Sequence, residues 1–349
     1  MSLKKITYKQ VSQQIYDLKN CKTKQHIAKL LQVPSKEFSL LSLAPTYYHF
    51  TIPKKNGSLR HIEAPSKALK QVQRKLNTYL QAIYYVNQSK SAYGYIIKPV
   101  GKTHQKGILN NALQHLGCKY LMNIDFEDFF HQITYHDVVR IFNSNLFNLD
   151  KATCQTLAKL CTYKGRLPMG APTSPALSNL YTLALDKEMF AWAQKQQITY
   201  TRFVDDLSFS SKTNPLNETT FAQAQRIAQR YHLNFNPDKT KFLNEQDTKT
   251  VTGLVLNATV DIDDQFYVEL QKDIERLKVL TEVYTITGQS LKNTAVVKFK
   301  QEITGKINFI KTIEGANSNE YQSQLESFLN AQCIQNDLVT RWDKFSSYE

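Results

Sequence analysis

The chain has 349 residues, 42% of them hydrophobic, which is enough to bury a substantial core and leaves room for two or three subdomains. Its 44 Lys and Arg outnumber 30 Asp and Glu, for a net charge of +14. That balance suits a polyanionic partner, nucleic acid being the commonest, with a basic enzyme that binds no nucleic acid as the plain alternative. No apolar run is long enough for a membrane span, the opening MSLKKITYKQ lacks an apolar signal core, and the scattered cysteines form no CxxC pair, so a reducing cytoplasm is expected.

In chain order, residues 8–32 read as short amphipathic helices with Ile15, Leu18, Ile27, Leu30 and Leu31 as apolar positions. The stretch 47–65 alternates like a hairpin, turning at Lys55-Asn56-Gly57. Helices are predicted over 66–87 and about 105–116, the second closed by Gly117. A buried strand, Tyr120–Ile124, ends at Asp125, and a helix follows near 135–143. Pro175 opens a predicted long helix to about Gln194, with Ser174 as its N-cap. Residues 198–211 read as a second hairpin, followed by a helix over 218–231, a short strand and turn to about Leu243, and a strand VTGLVL. From about Leu270 the pattern is helical, the stripe Leu270, Ile274, Leu277 and Leu280 being interleaved with Lys272, Arg276 and Lys278. The predicted layout is α+β: a helical segment, a mixed body and a helical C-terminal domain.

Three pieces carry chemistry. Phe203-Val204-Asp205-Asp206-Leu207 sets two adjacent carboxylates at a tight turn without glycine. Neighbouring anions repel, and a hard cation such as Mg²⁺ removes that cost. An exposed acidic turn is the plain alternative. The second piece delivers Asp125 at the carboxyl end of an apolar strand, where crevices form. A simple helix cap would explain Asp125 but not the Phe129-Phe130 pair beyond it. With the Asp205 hairpin, Asp125 could complete a two-metal site that clamps both oxygens of a phosphoryl transfer. The third piece, Leu167-Pro168-Met169-Gly170-Ala171-Pro172-Thr173-Ser174-Pro175, places Gly170 where backbone can approach a ligand, ahead of a helix N-terminus.

Together, in this order, the aspartate strand, the LPxGxxxSP loop and the xxDD hairpin resemble the palm motifs of reverse transcriptases, over about residues 40–260. The resemblance implies a right-hand polymerase fold: an N-terminal helical segment over 1–40, fingers with part of the palm over 41–120, palm over 121–265 and a helical thumb over 266–349. It implies Asp125, Asp205 and Asp206 as catalytic carboxylates. They would hold two Mg²⁺ ions, Mn²⁺ being a possible substitute, with the Phe126 carbonyl as a further ligand. It places Lys54 and Arg60 at the triphosphate, Asp128, Phe129, Phe130 and Gly170 around the nucleotide, and the Phe130 ring where it excludes a 2′-hydroxyl. An ordinary solvated basic hairpin is the alternative for Lys54 and Arg60. Met169 departs from the pattern: many relatives carry Gln there, which can hydrogen-bond near the incoming nucleotide where Met can only pack.

Two further strings narrow the resemblance to retron reverse transcriptases: Asn111-Ala112-Leu113-Gln114-His115, an NAxxH pattern, and the triplet Val251-Thr252-Gly253. Each has a plain alternative. His115 could answer a helix dipole, and Gly253 could mark a bulge. The resemblance assigns Asn111, His115, Val251, Thr252 and Gly253 to RNA recognition. It implies a cognate structured noncoding RNA, priming from an internal guanosine 2′-hydroxyl, a branched multicopy single-stranded DNA product, dNTPs as substrate and an effector protein in antiphage defence. Lys292, Lys298, Lys300, Lys306 and Lys311 suit phosphate tracking by the thumb. The alternatives are another bacterial-defence or intron-type reverse transcriptase, or a non-catalytic RNA-binding module on a polymerase fold. Intact Asp125, Asp205 and Asp206 speak against the last.

Overall fold

The computed structural model describes residues 6–53, 57–101, 106–287, 291 and 293–332. Contacts divide the chain into two compact units, Met1–Thr252 and Gly253–Glu349.

The first unit opens with α1 (Tyr8–Lys19), α2 (Lys24–Leu30) and α3 (Ser35–Leu43). A capping box fixes the start of α1: the Thr7 side chain accepts from the Gln10 amide, and the Gln10 side chain returns to the Thr7 N–H. The hairpin β1 (Tyr47–Pro53) and β2 (Leu59–Pro65) follows in the predicted place, and α4 (Lys67–Asn87) buries the stripe Leu69, Val72, Leu76, Leu80 and Ile83. The hairpin turn at 54–56, with Lys54, lies outside the described residues.

Next come α5 (Ile108–Leu113), β3 (Tyr120–Phe126), α6 (Phe129–Gln132), α7 (Tyr135–Phe142), α8 (Lys151–Cys161), α9 (Ser174–Tyr181), α10 (Leu183–Lys195), β4 (Thr199–Phe203), β5 (Asp206–Ser211), α11 (Glu218–Arg230), β6 (Phe235–Leu243) and β7 (Thr250–Val251). The central sheet is antiparallel in the order β4-β5-β3-β6. Met122, Ile124 and Phe126 of β3 and Leu207 and Phe209 of β5 are buried in one continuous core. Helix α10 packs on β4, and α9 packs on α4 and α7.

Several predicted elements differ. The helix expected over 175–194 breaks at Thr182, whose hydroxyl donates back to the Ser178 and Asn179 carbonyls and ends α9 there. Thr173, not Ser174, is the cap residue, and the Ser174 hydroxyl instead donates to the Pro168 carbonyl at 2.8 Å. The strand expected in VTGLVL is interrupted, because Thr252 and Gly253 take φ of 51° and 80°. Only residues 108–113 of the helix expected over 105–116 are regular, and residues 102–105 lie outside the described set. Helices α3 and α8 were not foreseen; α8 starts on Asp150, which accepts from the Thr153 amide.

The second unit holds β8 (Leu254–Leu256) paired with β9 (Val260–Ile262), then α12 (Asp264–Ile286), α13 (Thr294–Glu314) and α14 (Asn319–Asn330), which pack on one another. Leu270, Ile274 and Leu277 are buried as the stripe predicts, joined by Thr281 rather than Leu280. Among the described residues no helix is long and apolar enough to cross a membrane, and Cys21, Cys118, Cys154 and Cys161 are free thiols.

Candidate active site

Asp125 is the penultimate residue of β3 and stands directly opposite Asp206, the first residue of β5. The hairpin between β4 and β5 closes with Phe203 opposite Asp206, so its two turn residues are Val204 and Asp205. The expected Asp-Asp turn is therefore shifted by one residue. Val204 occupies the position of positive φ, at 63°, a place that normally takes glycine. The Asp205 carbonyl accepts from the Phe126 amide at 3.1 Å, which ties the turn to the end of β3.

The strands β3 and β6 lose register beside this point. Asp125 pairs with Asn236 and Asn123 with Lys241, so residues 237–240 bulge out against Ile124. The bulge carries Lys239 over the site, where its ammonium donates to Asp125 Oδ1 at 2.7 Å.

Three carboxylates thus converge on one strand end. Burial and the neighbouring Asp125 raise the pKa of Asp205 above the usual carboxylate range. Desolvation, with Asp205 and Asp125 alongside, pushes Asp206 up to about 7, although by surface area that residue is exposed. Burial disfavours the Lys239 ammonium, yet its hydrogen bond to Asp125 and the pull of all three carboxylates carry its pKa above the ordinary value. The site is short of positive charge. Among the described residues no group of three or more His, Cys, Asp or Glu side chains is already arranged as a metal cage. The donor set nevertheless fits a divalent cation: hard, anionic oxygens, mutually repelling, with the Lys239 ammonium bonded to Asp125.

The other sequence candidates fall in three places. Arg60 lies on β2 opposite Ile52, and its charge is felt at Asp205, where it lowers the pKa. Asp128 is exposed in the left-handed region at φ 39° and precedes α6. Phe126, Phe129 and Phe130 form a run of ring contacts, with centroids 5.0 Å and 5.6 Å apart, in which Phe129 is buried and Phe130 half-buried. Gly170 meets the hairpin rather than open space: a Cβ there would lie 2.9 Å from the Glu63 carbonyl oxygen. Its neighbour Met169 accepts from the Glu63 amide at 2.7 Å. The LPxGxxxSP loop therefore docks β2 onto the body.

Asn111 and His115 are apart from the carboxylates and almost wholly enclosed. Both ring nitrogens of His115 are occupied, Nδ1 with Ser210 Oγ and Nε2 with Thr201 Oγ1, each at 2.7 Å. Burial drives its pKa down to about 3, so the ring is neutral. Val251 is buried, and Thr252 holds an enclosed hydroxyl that lacks a hydrogen-bond partner.

Sequence reasoning missed Lys239 and Glu63. Nothing in NPDKTK marks one lysine as facing the aspartates; only the bulge does. Glu63 is buried on β2, 3.1 Å from Arg166 and 3.3 Å from the His131 ring, joining hairpin, loop and α6.

Residues 52–256 match the reverse transcriptase (RNA-dependent DNA polymerase) family, a span that contains every carboxylate of this cluster. The chain belongs to that family. Among curated relatives, the Retron Ec86 reverse transcriptase of Escherichia coli is 32% identical over 235 residues, covering 66% of this chain and 70% of that protein. The Retron Mx162 reverse transcriptase of Myxococcus xanthus is 30% identical and covers 62% of this chain and 48% of its own length. The Retron Mx65 enzyme of the same organism is also 30% identical, over 62% of this chain and 52% of its own. This chain is thus a retron-type reverse transcriptase, an RNA-directed DNA polymerase with the mixed helix and strand fold of its family, and it spans about half the length of the two Myxococcus relatives.

Proposed function

We propose that this reverse transcriptase copies part of a cognate structured noncoding RNA into multicopy single-stranded DNA, priming from an RNA 2′-hydroxyl, in the bacterial cytoplasm. The observation that carries the reading is the convergence of Asp125, Asp205 and Asp206 at one strand end beneath Lys239. Asp125 and Asp205 would be the principal holders of two Mg²⁺ ions, with Asp206 and the Phe126 carbonyl beside them and Mn²⁺ as a substitute. Bound there, the ions supply charge neutralisation at the attacking and leaving oxygens.

The chain's own residues do the rest. Arg60, with Lys54, binds the triphosphate of the incoming dNTP, the guanidinium offering paired donors and the ammonium a point charge. Asp128, Phe129 and Phe130 border the nucleotide, and the half-buried Phe130 ring fills the space a ribose 2′-hydroxyl would need. Gly170 supports the pocket by seating β2 against the loop. Residues 41–120 act as fingers with part of the palm, 121–265 as palm and 266–349 as thumb, behind the helical segment 1–40. Val251, Thr252 and Gly253 take part in reading the RNA, and Asn111 and His115 contribute through the surface they support. The relatives' retron names support this assignment. An effector protein completes the antiphage system.

The test is Mg²⁺-dependent dNTP incorporation by the purified protein and by Asp205→Asn, with sequencing of copurifying nucleic acid. A branched RNA–DNA species and loss of synthesis in the folded variant are expected. Undiminished synthesis by Asp205→Asn would remove the carboxylate assignment.

A further inference from the structure

Behind the Val204-Asp205 turn lies an ion pair with no exposed surface. Arg202 and Asp186 are both wholly buried. The guanidinium meets the carboxylate through two bonds, Nε to Oδ1 at 2.8 Å and Nη2 to Oδ2 at 2.7 Å. Its remaining nitrogen, Nη1, donates to the Val204 carbonyl at 2.9 Å and to Asn179 Oδ1 at 3.1 Å. Tyr200 adds a hydroxyl to Asp186 Oδ1 at 3.0 Å.

A second layer wraps the same turn. Asn179 Nδ2 donates to the Gly94 carbonyl at 3.0 Å. A Cβ at Gly94 would stand 2.7 Å from Val204 Cγ2 and 3.0 Å from the Val204 nitrogen, so only glycine leaves room for the turn. The strand containing Arg202 is fastened to this segment, its amide donating to the Ser91 carbonyl and its carbonyl accepting from the Tyr93 amide, both at 2.8 Å.

Taking two charges fully out of water is costly, and a well-packed apolar pair often stabilises a fold equally well. The pair therefore calls for a role beyond cohesion. That role is visible at Val204, a β-branched residue held at φ 63°, where L side chains are strained. The two successive turn carbonyls are both held by other elements of the site: Val204 by Arg202, Asp205 by the Phe126 amide. The geometry points to Arg202 as a positioning residue: fixed by Asp186 and Asn179, it captures the Val204 carbonyl and holds the turn in the strained conformation that aims Asp205 at Asp125 and Asp206. This rests on the polymerase reading of those three carboxylates.

The experiment compares wild type, Arg202→Lys and the apolar double Arg202→Met/Asp186→Leu, each with and without Val204→Gly. Primer extension on an annealed template with Mg²⁺ is measured alongside thermal melting and amide hydrogen exchange at residues 204–206. Lys can answer Asp186 but lacks the fork that reaches both Asp186 and the Val204 carbonyl. A small misplacement of a reacting group costs about a hundredfold in rate, so kcat should fall by that order with the KM for dNTP and duplex affinity unchanged. Exchange should rise at 204–206 and not across the sheet. Val204→Gly should restore much of kcat, because glycine adopts positive φ unaided. Wild-type kcat and exchange in Arg202→Lys would overturn the proposal. So would a loss of kcat that follows melting and is not restored by Val204→Gly, which would assign the pair to stability alone. If the wild type itself incorporates no dNTP, the polymerase reading fails, while the exchange measurement still decides whether Arg202 holds the turn.

Discussion

Lys239 Nζ donates to Asp125 Oδ1 at 2.7 Å, from a bulge in β6 that exists where β3 and β6 lose register. This contact makes Lys239 the counter-ion of an otherwise acidic cluster. Its charge lowers the pKa of both Asp205 and Asp206.

Removing that charge should therefore raise both carboxylate pKa values. In metal-free Lys239→Met, the titration of Asp206, followed by NMR of its carboxyl, should move to higher pH. In the metal-free wild type, Asp206 should take up a proton as pH drops through about 7. A titration that stays in place in the variant would take Lys239 out of the cluster's electrostatics.

Phe130 is half-buried against Phe129 and sits just beyond the carboxylate strand. Phe130→Ala should raise NTP incorporation relative to dNTP about tenfold or more, since a discriminating clash is worth more than about 1.4 kcal/mol when it is relieved. The ratio is measured with competing nucleotides on one template. An unchanged ratio removes Phe130 from the sugar pocket.

His115 links acid stability to the central sheet. Its folded pKa is depressed to about 3 by burial, below the ordinary value of 6.5, so between those values the unfolded chain binds a proton that the folded chain refuses. The stability from the neutral ring is fully present above pH 6.5 and is lost as pH falls, at up to about 1.4 kcal/mol per pH unit. The midpoint of thermal melting should drop between pH 7 and pH 5 in the wild type, and drop less in His115→Gln. Equal slopes would show that the ring is not held neutral.

The lysines of α13 should not contribute equally to RNA binding. Lys306 already donates to Asp273 at 2.7 Å, and Lys311 lies over the Tyr321 ring, whereas Lys298 is exposed. Lys298→Gln should reduce the slope of log affinity against log salt by about one, and Lys306→Gln by less. Filter binding over a salt series makes the comparison. A larger change from Lys306 would reverse this ranking.

By itself, the sequence determined the family. Three motifs in one order are legible because each depends on local chemistry: an apolar strand that ends in Asp125, a glycine and proline loop, and paired acids in a β-forming run. The stripe Leu270, Ile274 and Leu277 was legible for the same reason, since helix period is a local property. Tertiary structure decided the rest. The break at Thr182 depends on a hydroxyl that turns back on its own helix, a choice propensity does not make. Gly170 reads as a ligand-facing glycine until β2 is laid against it. His115 reads as a helix-end cation until Ser210 and Thr201 close over both nitrogens. Lys239 and Arg202 belong to the site only through a bulge and a buried fork. Both arise from register and packing between segments distant in sequence, and such long-range pairings leave no periodic trace in the chain.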